Sequence, residues 1–192
     1  MTQHMPPNAD YPFVTEYRLA DDGTIPNNAA LPLLVYKQAV APAKGEEAAA
    51  AFEQTFARNG WSGSWRDGIY GYHHYHSVTH EVLGIAAGRA TVRLGGEGGV
   101  TVEFEAGDAL VIPAGVGHKN LGSSDDFLVV GAYPPRGEYD ECRGRAGELA
   151  RARDSIPQVA LPTKDPLRGR AGPLVQLWRK PPAKRGRLRP GR

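Results

Sequence analysis

Between Trp65 and Tyr133 the chain is written almost entirely in short apolar runs cut by glycine and proline, with no helical periodicity long enough to interrupt them. Val92-Arg93-Leu94 and Val100-Thr101-Val102-Glu103-Phe104-Glu105 alternate apolar and polar residues on either side of Gly95-Gly96-Glu97-Gly98-Gly99, the pattern of a hairpin. Gly107-Asp108 marks another turn; the run Ala109–Ile112 is closed by Pro113, and Phe127–Tyr133 by Pro134-Pro135. Strands at this density bury their apolar faces only by packing sheet on sheet or by rolling into a barrel. The predicted class is all-β, with the barrel core at about residues 65–135.

Upstream, Leu33–Tyr36 predicts a further strand, pairing either with the barrel edge or with a partner subunit. Residues 46–58 are rich in helix formers, with Glu46-Glu47 at the start, Arg58 at the end, and Phe52 and Phe56 four apart on one face. Asn59-Gly60 supplies the stop. After Tyr133 the sequence reads as loop; the pentapeptide Arg-Gly-Arg-Ala-Gly at 143–147 returns at 168–172, too short a unit for a repeat architecture. At 192 residues the chain fits one domain, placed at residues 1–178, with long extensions on both sides of the barrel.

The formal charge of +2 hides a division. Residues 179–192 hold Arg179, Lys180, Lys184, Arg185, Arg187, Arg189 and Arg192 and no acid; setting these seven apart from the 23 basic residues leaves 16 against 21 acids. The body is acidic and the tail basic. Broken by Pro181, Pro182 and Pro190, the tail reads as a solvated, disordered end. It lacks the interleaved aromatics of a nucleic-acid-binding segment, so no nucleic-acid partner is expected. No apolar stretch is long enough to span a bilayer and Met1–Asp10 lacks a signal pattern, which predicts a cytoplasmic protein off the membrane. Cys142 is the single cysteine, so a thiolate cluster is excluded and any metal must be held through nitrogen and oxygen.

The residues that carry chemistry are crowded. His73, His74, His76 and His80 lie close together, and His118 follows the bend Pro113-Ala114-Gly115-Val116-Gly117. Read as a strand, Ile69–His76 places Tyr70, Tyr72, His74 and His76 on one face. Glu81 joins them if Glu81, Leu83 and Ile85 form the inward face of the next strand; a bulge at this point would substitute His80. With His118 the set becomes three imidazoles and one carboxylate, which suits a divalent transition ion such as Fe, Mn, Ni, Cu or Zn and not Ca²⁺ or Mg²⁺.

At these residues the chain resembles the cupin superfamily. Gly68, His74, His76, Glu81 and Gly88 stand at the spacing of its first motif, and Gly107, Pro113, Gly115 and His118 at that of its second. The closing asparagine of the second motif comes early, at Asn120. The flanks, including Asp22-Gly23, Gly131-Ala132-Tyr133-Pro134 and Asp165-Pro166, are similar to the bacterial YjlB-like cupins. The resemblance implies a jelly-roll β-barrel (double-stranded β-helix), a metal held by His74, His76, Glu81 and His118, a small-molecule substrate, and a homodimer.

Around that set the residues admit more than one reading. Tyr70 and Tyr72 either line a pocket or fill the barrel; Trp61 and Trp65 either cap its mouth or pack on the helix. Asp108, after a turn glycine, is assigned to structure, and Cys142, without a local partner, to no chemistry. The expected function is a metal-dependent enzyme on a small polar molecule, dioxygenase first and isomerase or epimerase second. The alternative is a non-catalytic binder or sensor.

Overall fold

The computed structural model describes residues 3–4, 13–40, 45–135 and 138–179; the predicted tail beyond Arg179 lies outside the described residues. The strands are β1 (Gln3–His4), β2 (Val14–Arg18), β3 (Leu33–Tyr36), β4 (Ser62–Asp67), β5 (Glu81–Ala87), β6 (Arg89–Leu94), β7 (Val100–Glu105), β8 (Ala109–Ile112), β9 (His118–Ser123) and β10 (Leu128–Tyr133). Helix α1 (Glu46–Arg58) matches the predicted span, while α2 (Glu148–Ser155) and α3 (Pro173–Leu177) fall where the sequence reads as loop. Two antiparallel sheets, ordered β1-β2-β3-β8-β5-β10-β4 and β7-β6-β9, close on each other as a jelly roll.

The central strands of the larger sheet are apolar at nearly every position because both faces are buried, and the pleat sorts their side chains into two cores. Leu33, Val35, Leu83, Ile85, Leu110, Ile112 and Val129 point into the barrel, where Val92, Leu94 and Phe104 of the smaller sheet meet them. Leu34, Tyr36, Val82, Val111 and Val130 point outward onto Phe52 and Phe56 of α1. That helix shows its solvent face to Arg66, whose guanidinium pairs with Glu46 and Glu53. Gly84 is the point of closest approach, since a Cβ there would lie 2.4 Å from the Phe52 ring. Gly84→Ala is therefore expected to cost about 1–3 kcal/mol by overpacking. The double variant with Phe52→Leu should recover part of that loss in urea titrations; strict additivity would contradict the contact.

Of the two partners expected for β3, the barrel is the one observed: β8 pairs with one side and β2 with the other, so the strand is not an edge and offers no free ladder to a second subunit. Ile69–His76 is not the continuous strand expected: only His74 and Tyr75 pair, as isolated bridges to His118 and Cys142. The glycines at 68 and 71 flank a segment that crosses the barrel mouth instead of extending the sheet.

Beyond β10 the chain returns to cover α1. Asp165, fully buried, accepts hydrogen bonds from the Tyr36 hydroxyl (2.7 Å) and from the backbone N–H groups of Leu167, Arg168 and Leu174. Trp178 Nε1 donates to the Pro32 carbonyl and Trp61 Nε1 to that of Lys164. These bonds strap the final described segment across the outer core. Asp165→Ala strands several buried donors at once and is expected to lower stability by about 3 kcal/mol or more, against about 1–2 kcal/mol for Tyr36→Phe. Urea midpoints at constant m-value check the ranking.

Candidate metal centre

The pleat of β5 that sends Leu83 and Ile85 into the barrel also sends Glu81 there, at the strand's first residue, with 2 % of its surface exposed. His118 opens β9 opposite Leu94 of β6. His74 is fixed to it by a reciprocal backbone pair, His74 N–H to His118 O (3.2 Å) and His118 N–H to His74 O (3.0 Å), which brings the two rings to 4.0 Å. The His76 carbonyl accepts from Gly115 N–H (2.8 Å). Gly115 has φ +90°, and a Cβ there would lie 2.5 Å from the Asn27 carbonyl oxygen, so the bend before His118 requires glycine.

All four predicted ligands are buried and line one cavity of about 340 Å³. Glu81 Oε2 lies 3.5 Å from Nε2 of His76 and 3.5 Å from Nε2 of His118, and it makes no hydrogen bond. Among the described residues, no group of three or more His, Cys, Asp or Glu side chains is drawn close enough to count as a formed metal site. The side chains share a cavity with wider spacing than a closed coordination shell.

Each imidazole turns Nδ1 toward a backbone carbonyl: His74 to Tyr72 (3.4 Å), His118 to Val116 (3.5 Å) and His76 to Asp140. A carbonyl only accepts, so the His76 contact puts a proton on Nδ1 and directs Nε2 to Glu81. Burial holds His118 well below the ordinary histidine range, and the neighbouring His74 and His76 push the same way. His74 is also lowered by burial, with Glu81 opposing. For His76 burial pulls down, but the Glu81 carboxylate 3.5 Å away and the Asp140 carbonyl outweigh it and raise the pKa to about 9. Glu81→Gln should therefore lower the His76 pKa, because the largest raising contribution is lost and only Asp140 is left to oppose burial. Histidine NMR titration of the metal-free protein reads this; a value still near 9 would contradict the assignment to Glu81.

The walls are largely aromatic. Tyr70, Trp65, Tyr133 and Tyr139 line the cavity with Leu83 and Glu141. Trp65 lies flat across β10 because Gly131 leaves room; a Cβ there would sit 2.1 Å from the indole. Trp65 Nε1 donates to the Tyr133 hydroxyl (3.0 Å), and Tyr139 stacks on Tyr133 with centroids 5.2 Å apart. Burial, then the Glu81 charge, raises the Tyr133 pKa, so this phenol keeps its proton at neutral pH.

Of the other predicted residues, Tyr70 lines the cavity but Tyr72 does not. Tyr72 turns outward, stacked on Tyr70 (4.9 Å) and covered by Arg143, whose guanidinium donates to its hydroxyl (2.8 Å). The face-sharing expected of a regular strand fails here because the segment is irregular. His80 is buried away from the cavity: Ala114 N–H donates to its Nδ1 (2.9 Å), its ring lies against Trp178 (4.8 Å), and burial lowers its pKa to about 4. It sits among core residues, apart from the cavity that the other four line. Trp61 packs on α1, while Asp108 accepts from Lys37 Nζ and the Gln38 and Glu105 N–H groups, as a turn carboxylate should. Burial and the adjacent Asp140 push the Cys142 thiol to about 12, so it is a poor nucleophile. The alternation Val129, Gly131, Tyr133 along β10 would have revealed Tyr133; Tyr139 and Asp140 follow a loop with no period to place them.

A jelly roll with imidazoles and a carboxylate converging at one mouth is the arrangement expected of a cupin. Residues 66–130 match the family model described as the cupin domain, and the chain belongs to the cupin family. It is 46% identical over 162 residues to the uncharacterised protein YjlB of Bacillus subtilis (strain 168), covering 84% of this chain and 94% of that one. Among solved structures it is similar to an acireductone dioxygenase from Bacillus anthracis with a cadmium ion, at 18% identity over 66% of this chain and 80% of that one, TM-score 0.38. It is also similar to a Lactobacillus farciminis oxalate decarboxylase, at 16% identity over 74% and 30% of the two chains, TM-score 0.31.

Proposed function

We propose that this cupin is a metal-dependent enzyme acting on a small polar molecule, with His74, His76, His118 and Glu81 holding a divalent transition ion. The observation that carries this reading is Glu81 Oε2, a buried carboxylate oxygen without a hydrogen bond, facing the Nε2 atoms of His76 and His118. Burying a carboxylate in this way is costly unless a cation compensates it, and imidazole nitrogens with one carboxylate are the donor set that Fe, Mn, Ni, Cu and Zn accept. Such an ion, once bound, supplies Lewis-acid or redox chemistry.

The chain's own residues do the rest. Tyr133, its hydroxyl oxygen accepting from Trp65 and its proton turned toward Glu81, would donate to a substrate carbonyl or hydroxyl once an ion engages that carboxylate. Tyr70 and Tyr139 flank the mouth and give a ring or a planar enediol faces to lie on. The proposed reaction is oxygenation first and isomerisation or epimerisation second, in a cytoplasmic protein. Among the described residues no helix is long and apolar enough to cross a membrane. The homodimer implied by the family would have to form away from β3, whose sides are both paired; light scattering over a concentration series reads it.

Protein purified without added metal is expected to carry stoichiometric transition metal by elemental analysis, and His76→Ala to lose it. Unchanged metal in the variant would remove the site. Oxygen consumption is then expected with a member of a panel of diketones, catechols, thiols and keto-sugars. Silence of the metal-loaded protein in aerobic and anaerobic screens alike would make it a binder or sensor instead of an enzyme.

A further inference from the structure

We infer that Asp140 is the positioning residue for His76, acting through its own backbone carbonyl; this rests on the reading of His76 as a metal ligand. The Asp140 carbonyl accepts the His76 Nδ1–H, and what locates that carbonyl is the Asp140 side chain. Its Oδ1 accepts from Ser77 N–H (2.7 Å) and its Oδ2 from the Ser77 hydroxyl (2.6 Å), so one carboxylate grips the residue next to His76 at two points. Val78 N–H (3.4 Å) and the Cys142 thiol (3.3 Å) add two weaker bonds. Ser77 is itself buried, and its hydroxyl accepts from Ser155 Oγ at the end of α2 (3.2 Å), which ties the clamp to the helix.

The consequence is directional. Tyr133 and Tyr139 pack edge-on against the His76 ring, but packing does not tell its two nitrogens apart; the Nδ1–H contact does, and it aims Nε2 at Glu81. His74 and His118 need no such device, because each faces the carbonyl two residues before it and they are locked to each other by a backbone bridge. His76 alone depends on a carbonyl 64 residues away in sequence. The competing restraint on that carbonyl is the backbone bridge between Tyr75 and Cys142, two bonds of 2.9 Å. If the bridge suffices, the carboxylate is dispensable.

Asp140→Ala, Asp140→Asn and Ser77→Ala separate the two. The first readout needs no metal: in metal-free protein with ¹⁵N-histidine, the His76 Nδ1–H is expected as an exchange-protected resonance, lost in Asp140→Ala and weakened in the other two. The second is cobalt(II) affinity by chelator competition, expected to fall about 10–100-fold in Asp140→Ala and less in Asp140→Asn and Ser77→Ala. Far-UV circular dichroism and the urea midpoint establish that each variant is folded; should Asp140→Ala fail to fold, the milder pair decides the matter. A protected Nδ1–H and parental cobalt affinity in the folded variants would overturn the inference. If the parent protein itself takes up no cobalt, the proposed metal function falls, while the proton resonance still decides what Asp140 does.

Discussion

The register of β5 is the constraint on which the rest depends. Odd-numbered residues from Glu81 to Ile85 face the barrel and even-numbered ones face α1. A slip of one position would move the Glu81 carboxylate into the aromatic layer around Phe52 and put Val82 among the histidines, exchanging polar and apolar demands on both sides. Gly84 makes that register still more exclusive, because only a residue without Cβ fits beneath the Phe52 ring. The same pairing that closes the core thus delivers the carboxylate.

Around Glu81 the three histidines are not equivalent. The cluster places His118 deepest, its charge opposed by burial and by two neighbouring imidazoles, while His76 gains from the carboxylate and from Asp140. On the proposed reading, a buried acid beside imidazoles of such different basicity is a site in which protons and a metal ion would compete for the same lone pairs. The aromatic walls sharpen that competition by limiting the water that reaches it.

Much of this was legible in the residues, and the remainder has physical reasons for being hidden. Glycine spacing and alternation gave the strands; Glu46-Glu47 and Asn59-Gly60 gave the limits of α1, and Phe52 with Phe56 its buried face. Leu83 and Ile85 argued for Glu81 over His80, and Glu81 and Leu83 line the cavity while His80 lies apart from it. Period-two reasoning failed at Tyr72 because the segment before His74 is tied to β9 by a single backbone bond, Asn120 N–H to the Tyr70 carbonyl, too little to hold a pleat. Asp140, Tyr139 and the Asp165 strap were invisible because their partners lie far along the chain, and no local pattern encodes a contact of that span. The repeated Arg-Gly-Arg-Ala-Gly illustrates the limit: one copy leads into α2, while in the other Gly172 makes room for the Asp165 side chain.

The strap also orders events in time. The outer layer around Phe52, Phe56 and Val130 is complete only when Leu174 and Trp178 arrive, and they are anchored to Tyr36 and Pro32, made much earlier in synthesis. During translation the barrel interior can assemble from residues up to Tyr133, whereas the helix-covered face stays open to other chains until the last turn has left the ribosome. The nascent polypeptide is thus most vulnerable to aggregation late, after its interior is already built.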